Sequence, residues 1–184
     1  MHSEAPDKRS VYTVGHSTYQ LADFVNLLVS FDIEAVADIR RFPGSRKHPW
    51  FNKEELSEEL QRAGIRYAHL EGLGGRRKMQ EDSKNSRWRN SSFRGYADYM
   101  ETDDFKEAIA TLEAVALEQR TAYMCSEAVW WRCHRSMVSD YLKAKGWSVW
   151  HIMSQGKAEE HTYTSPARVS NERVFYSDEN LFDQ

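Results

Sequence analysis

With 184 residues, 40% of them hydrophobic and 12% aromatic, the chain has the make-up of one folded domain with a sizeable core, which excludes a disordered protein and two ordinary domains. Its net charge of −3 provides no bulk attraction to nucleic acid or to an anionic membrane, so any anion recognition must be local. Two cysteines make no disulfide framework, no apolar run has the length to span a bilayer, and Met1 to Ser10 is polar without a signal-peptide core, so the cytoplasm is the expected location.

In chain order, Val11 to Gly15 reads as a short strand ending in Gly-His-Ser, and Leu21, Phe24, Val25 and Leu28 recur at helical spacing over 20–31. A second strand runs from Ile33 to Ile39, followed by a Pro43-Gly44-Ser45 turn and a basic, aromatic loop through Trp50. Asn52 can cap a helix that carries Leu56 and Leu60, has Glu54 and Glu55 in its first turn, and ends at Gly64. Ile65 to Leu70 is a third strand, and Leu73-Gly74-Gly75 opens a long polar loop. Phe105, Ile109, Leu112 and Val115 mark a helix starting after Asp103 or Asp104. Thr121 to Cys125 is a fourth strand, its helix ends at Gly146, and Val149 to Met153 is a fifth. This alternation predicts an α/β fold: a single Rossmann-like domain over 11–153, with a mostly parallel five-stranded sheet and helices on both faces. Residues 1–10 form a polar extension. The tail 154–184 packs on or near the domain and supplies a sixth strand if Arg173 to Tyr176 joins the sheet.

Parallel strands share their C-terminal edge, where open α/β sheets carry their sites. That edge gathers His16 and Ser17, Asp38 with Arg40 and Arg41, Gly74 and Gly75, then Cys125 and Glu127. The densest stretch is Cys125-Ser126-Glu127 followed by Trp131-Arg132-Cys133-His134-Arg135, where a strand turns into a helix. Cys133 is the stronger thiol candidate, because a helix N-terminus and nearby Arg132, His134 and Arg135 favour a thiolate. Cys125 is either a partner in the site or a buried small hydrophobe. Two arginine-rich loops with interleaved aromatics suit a phosphate-bearing substrate. One holds Arg40, Arg41, Arg46 and Lys47 with Phe42, Trp50 and Phe51. The other holds Arg76, Arg77, Lys78, Lys84, Arg87, Arg89 and Arg94 with Trp88, Phe93 and Tyr96. His48, His69 and His151 have no company in sequence and read as ordinary loop or strand-edge residues.

The leading expectation is an enzyme acting on nucleic acid or a nucleotide, in repair or base processing. Cys133 serves as nucleophile or alkyl acceptor, His134 or His16 activates it, and Glu127 and Asp38 orient or exchange protons. Ser17, Arg40, Arg41, Ser45, Gly74, Gly75, Arg76, Cys125 and Arg135 then bind the substrate. The alternatives are a non-enzymatic nucleic-acid or partner-binding module, a metalloprotein using Cys125, Cys133 and a histidine (His134 or His16), and thiol redox through a Cys125–Cys133 bridge. The sequence calls for no cofactor. Zinc or iron is an alternative without the paired Cys-x-x-Cys or His-Glu-x-x-His signatures.

The tripeptide Cys133-His134-Arg135 is similar to the acceptor motif of O6-alkylguanine-DNA alkyltransferases, with Arg132 where the motif has proline. More extensively, the chain resembles the family catalogued as domain of unknown function 488. The resemblance runs through Thr13-Val14-Gly15-His16-Ser17, Asp38-Ile39-Arg40 with Pro43 and Ser45, Leu73-Gly74-Gly75, Phe93 to Tyr99, Cys125-Ser126-Glu127, Cys133-His134-Arg135 and His161-Thr162-Tyr163. It spans about residues 11–165 and implies an α/β domain and the rim residues, without naming a reaction.

Overall fold

The structure is a computed structural model that describes residues 9–179. Its main sheet has six strands in the order β3-β2-β4-β1-β5-β6: β1 Ser10–Gly15, β2 Ala35–Asp38, β3 Arg66–His69, β4 Thr121–Cys125, β5 Ser148–Ser154 and β6 Lys157–Glu160. The first five are mutually parallel, and β6 runs antiparallel to β5. Helices α1 Leu21–Ser30, α2 Lys53–Arg62, α3 Ser91–Met100, α4 Asp103–Glu118 and α5 Arg135–Ala144 cover both faces. This is the α/β domain expected from the alternation.

The period of two along each strand divides the core. Val14, Val36, Ala122 and Met124 pack with Phe24, Leu28, Leu56 and Leu60 of α1 and α2. Ala37, Ile39 and Tyr123 point the other way, against Tyr96, Phe105, Ile109, Met137 and Leu142 of α3, α4 and α5. Truncating a fully buried member such as Leu60 or Phe105 to alanine costs about 2–5 kcal/mol.

Three local expectations need correction. Asn52 stands at the N-cap of α2, but its side chain does not cap; Oδ1 accepts the Ser45 N–H at 2.7 Å and so pins the Pro43–Ser45 turn. The long polar loop contains α3, capped by Asn90 Oδ1, which accepts from Ser92 and Phe93 N–H. Its helical signal is weakened by Gly95, where a side chain would collide with the Arg77 carbonyl. The sixth strand is β6, not Arg173 to Tyr176. That segment instead holds β8 Arg173–Phe175, paired only with β7 Arg168–Ser170 in a separate hairpin, through Asn171 and Glu172 at positive φ.

The chain leaves β1 toward β2 on one side and leaves β4 toward β5 on the other. β1 and β4 are adjacent, so their C-terminal ends form the point where the winding reverses and a crevice opens.

Candidate functional site

The crevice begins with two chain segments held edge to edge. Beyond the ends of β1 and β4, His16 N–H donates to Cys125 O and Ser17 N–H to Ser126 O, both at 2.9 Å. Gly15 permits this, since a Cβ there would collide with the Glu127 carbonyl. A cleft of about 680 Å³ lies above. His16, Ser17, Arg40, Arg41, Ser45, Gly75, Arg76, Cys125, Glu127 and His134 line it, so ten of the residues expected at the rim meet in one place. Phe42 and Lys47 of the first arginine-rich loop, Ser126 beside Cys125, and His48, which reads as an ordinary loop residue, line it as well. Ser17 and Arg76 adopt positive φ, the kind of backbone strain that accumulates at functional sites.

The cations divide by partner. Arg40 is buried and spoken for: Nε and Nη2 donate to the two oxygens of Asp38 at 2.9 and 2.7 Å. Asp38 also accepts from the Arg40 N–H and the Tyr67 hydroxyl, which occupies its lone pairs, so it positions Arg40 and has no free oxygen for proton exchange. Arg41 donates to the Arg76 carbonyl. The Arg76 and Lys47 side chains have no partner among the described residues and extend into the open cleft.

His16 is sandwiched. Its ring stacks on Phe51 at 4.0 Å, Nδ1–H donates to Ser17 O at 3.0 Å, and Nε2 faces Arg40 Nη1 at 3.4 Å. Burial first, and the Arg40 charge second, lower its pKa to about 4, so the ring is neutral at pH 7.

At the other wall, the two sulfurs and a ring nitrogen of His134 lie within 4.8 Å of one another. His134 Nε2 lies 3.2 Å from Ile39 O. A carbonyl only accepts, so Nε2 carries the proton and the Nδ1 lone pair faces Cys133 Sγ at 3.6 Å. Cys133 does not reach the cleft as expected: its Sγ accepts the first N–H of α5, from Arg135, at 3.5 Å, which draws it inward. Cys125 occupies the wall instead. The pair shares its protons unequally. Interaction with Cys133 holds the Cys125 thiol well below its usual range, whereas burial pushes the Cys133 thiol up.

Arg135 also departs from its expected role. It is fully buried, and its Nη1 donates to Thr13 Oγ1 at 2.9 Å and its Nη2 to Glu127 O at 2.6 Å, which shapes the Cys125–Arg135 loop from behind. Gly74 serves packing: a Cβ there would lie 2.6–2.8 Å from atoms of Arg41. The second arginine-rich loop is turned inward too. Tyr96 is buried, Trp88 packs on Phe93 and Tyr176, Arg87 binds Pro166 O and Asp178, and Arg94 binds Ser83. Of that loop, Gly75 and Arg76 line the cleft.

Behind Arg135 lies a polar chain that the sequence reading missed. Thr13 Oγ1 donates to His151 Nδ1, His151 Nε2 to His161 Nδ1, and His161 Nε2 to Asp140 Oδ1, each at 2.9 Å. Asp140 further accepts from Thr164 N–H and hydroxyl and from the Tyr176 hydroxyl, which ties the C-terminal segment to α5. His151, which stacks on Trp130 at 4.2 Å, is thus far from lacking company. Burial lowers its pKa to about 2. Gly156 between β5 and β6 was the available signal, because a hairpin there brings residues 151 and 161 together.

The family model described as Domain of unknown function DUF488 matches residues 20–142, more than half of the chain. The chain belongs to that family. The matched span of this DUF488 protein contains Arg40, Gly75, Cys125 and His134, while His16 and the His151–His161 pair lie outside it. No curated protein and no solved structure matches the chain. Among the described residues no helix is long and apolar enough to cross a membrane.

Proposed function

We propose that the cleft is the active site of an enzyme that acts on a phosphate-bearing substrate, a nucleotide or a stretch of nucleic acid. The observation that carries this reading is the charge of the cleft lining. With Arg40 neutralised by Asp38, Arg41, Lys47 and Arg76 face one carboxylate among the described lining residues, Glu127, in a chain whose net charge is negative. Arg76 and Lys47 are free to take a phosphate, and Phe42, 63% exposed on the same wall, offers a face on which a base can stack. The Cys125–Cys133–His134 cluster is the reactive end, with Glu127 on the same cleft lining as the proton-exchanging group and His16 as a neutral, positioned wall.

Binding of a fluorescent nucleoside monophosphate and of a short single-stranded oligonucleotide tests the first half. The double variant Arg76→Glu/Lys47→Glu should weaken both at least about tenfold and lower the salt dependence, about one unit of slope per lost contact. Turnover of phosphate-bearing substrates tests the second half: Cys125→Ser and Glu127→Gln should remove it while binding and melting temperature hold. Binding without any turnover in the wild-type protein would instead favour a non-enzymatic binding module.

A further inference from the structure

The two sulfurs and a ring nitrogen of His134 converge with separations close to those of a metal-ligand set. In a tetrahedral zinc site, metal–sulfur and metal–nitrogen bonds of about 2.3 and about 2.0 Å set the ligand atoms roughly 3.5–3.8 Å apart. Cys133 Sγ and His134 Nδ1 already stand at 3.6 Å. Cys125 Sγ lies within 4.8 Å of both, so closing the triangle needs a movement of at most about 1.3 Å.

Three further features suit a metal. The Nε2–H of His134 is directed at the Ile39 carbonyl, the outer hydrogen bond that fixes a ligating imidazole's tautomer and presents its other nitrogen. A backbone N–H approaches the Cys133 sulfur, from Arg135 at 3.5 Å, as it does around bound thiolates. Finally, Gly75 is placed where a Cβ would sit 3.1 Å from His134 Nδ1, the ligand atom itself. Its φ lies outside the left-handed region, so the backbone does not demand glycine there. What glycine provides is space at Nδ1.

We propose that Cys125 Sγ, Cys133 Sγ and His134 Nδ1 hold a thiophilic divalent cation of the zinc class, with its remaining position open to the cleft. Binding exchanges protons for metal: the sulfurs release the protons they still hold, and the dication with two thiolates and a neutral imidazole forms an uncharged centre. Cys125 and His134 line the cleft, so the open position faces the space where Arg76 and Lys47 stand, and an oxygen of water or of a phosphate-bearing substrate can complete the coordination. The metal site stands on the ligand geometry; only its role in turnover rests on the function proposed above.

The test uses the full chain, reduced and stripped with a chelator, then titrated with cobalt(II). One equivalent should bind with a thiolate-to-cobalt charge-transfer band, and zinc should displace it. Cys125→Ser, Cys133→Ser and His134→Gln should each lower zinc affinity at least about tenfold, since loss of even an outer-shell partner costs 10–100-fold. Gly75→Val, which keeps all three ligands, should weaken it as well. The Arg76→Glu/Lys47→Glu variant, with its phosphate contacts removed, should keep the cobalt spectrum. Binding below one equivalent, or a charge-transfer band that survives the cysteine variants, overturns the proposal. Metal binding without nucleotide binding would refute the phosphate reading and leave the metal site standing; the converse result would do the reverse.

Discussion

Two polar clusters adjoin Arg135 and both include histidine, yet they are built on opposite principles. In the interior one, Thr13, His151, His161 and Asp140 are each less than 2% exposed, every ring nitrogen has one partner, and Asp140 accepts four hydrogen bonds. In the cleft, Arg76 and Lys47 have no side-chain partner among the described residues, the Cys125 and Cys133 sulfurs converge with a His134 ring nitrogen within 4.8 Å, and Glu127 is exposed. A buried polar network is stable only when complete, whereas a site must keep valences open for its ligand. The difference separates a structural clasp from a place where chemistry can happen.

The sharpest way to break that distinction is to cut the clasp. Asp140→Ala strands His161, Thr164 and Tyr176 in the interior and should cost about 3–5 kcal/mol in urea unfolding, since each buried donor left without its acceptor costs about 1–3 kcal/mol. An unchanged midpoint would mean that the network is not what holds the C-terminal segment.

Acid should act on both regions. His16 and His151 have folded-state pKa values lowered to about 4 and about 2, against 6.5 when unfolded, so the unfolded chain takes up protons that the folded one refuses. Stability is therefore full above pH 6.5 and falls as the pH drops, by about 1.4 kcal/mol per pH unit for each group. Both contribute down to about pH 4, and only His151 below it. His151→Gln should roughly halve the slope between pH 6 and pH 4. A stability profile flat over that range would contradict the neutral, buried rings.

Cleft substitutions should sit at the small end for stability. Arg76→Glu and Phe42→Ala alter exposed side chains and should shift unfolding by no more than about 0.5 kcal/mol, while the first weakens phosphate binding. A large loss of stability in either would move these residues from the site to the scaffold.

Much of this was legible in the chain. Strand apolarity and helical spacing predict the parallel sheet, and the order of strand ends predicts which segments share a rim. What escaped did so for physical reasons. α3 carries a glycine where its neighbour leaves no room for a side chain. β6, Lys157–Glu160, is a charged edge strand without apolar alternation. The choice between the thiols depends on the turn at Trp130–Arg132 and on the Arg135 N–H that draws Cys133 inward. The clasp joins residues as far apart as 13 and 151, a contact that no local pattern encodes.

The most direct single measurement is an amide chemical-shift titration of the isotope-labelled protein with a nucleoside monophosphate. Saturable shifts should concentrate at Ser17, Arg41, Ser45, Arg76 and Ser126 around the cleft and leave Asp140, His161 and Thr164 unmoved. Shifts centred on the clasp, or none at the cleft residues, would contradict the assignment of function to the cleft.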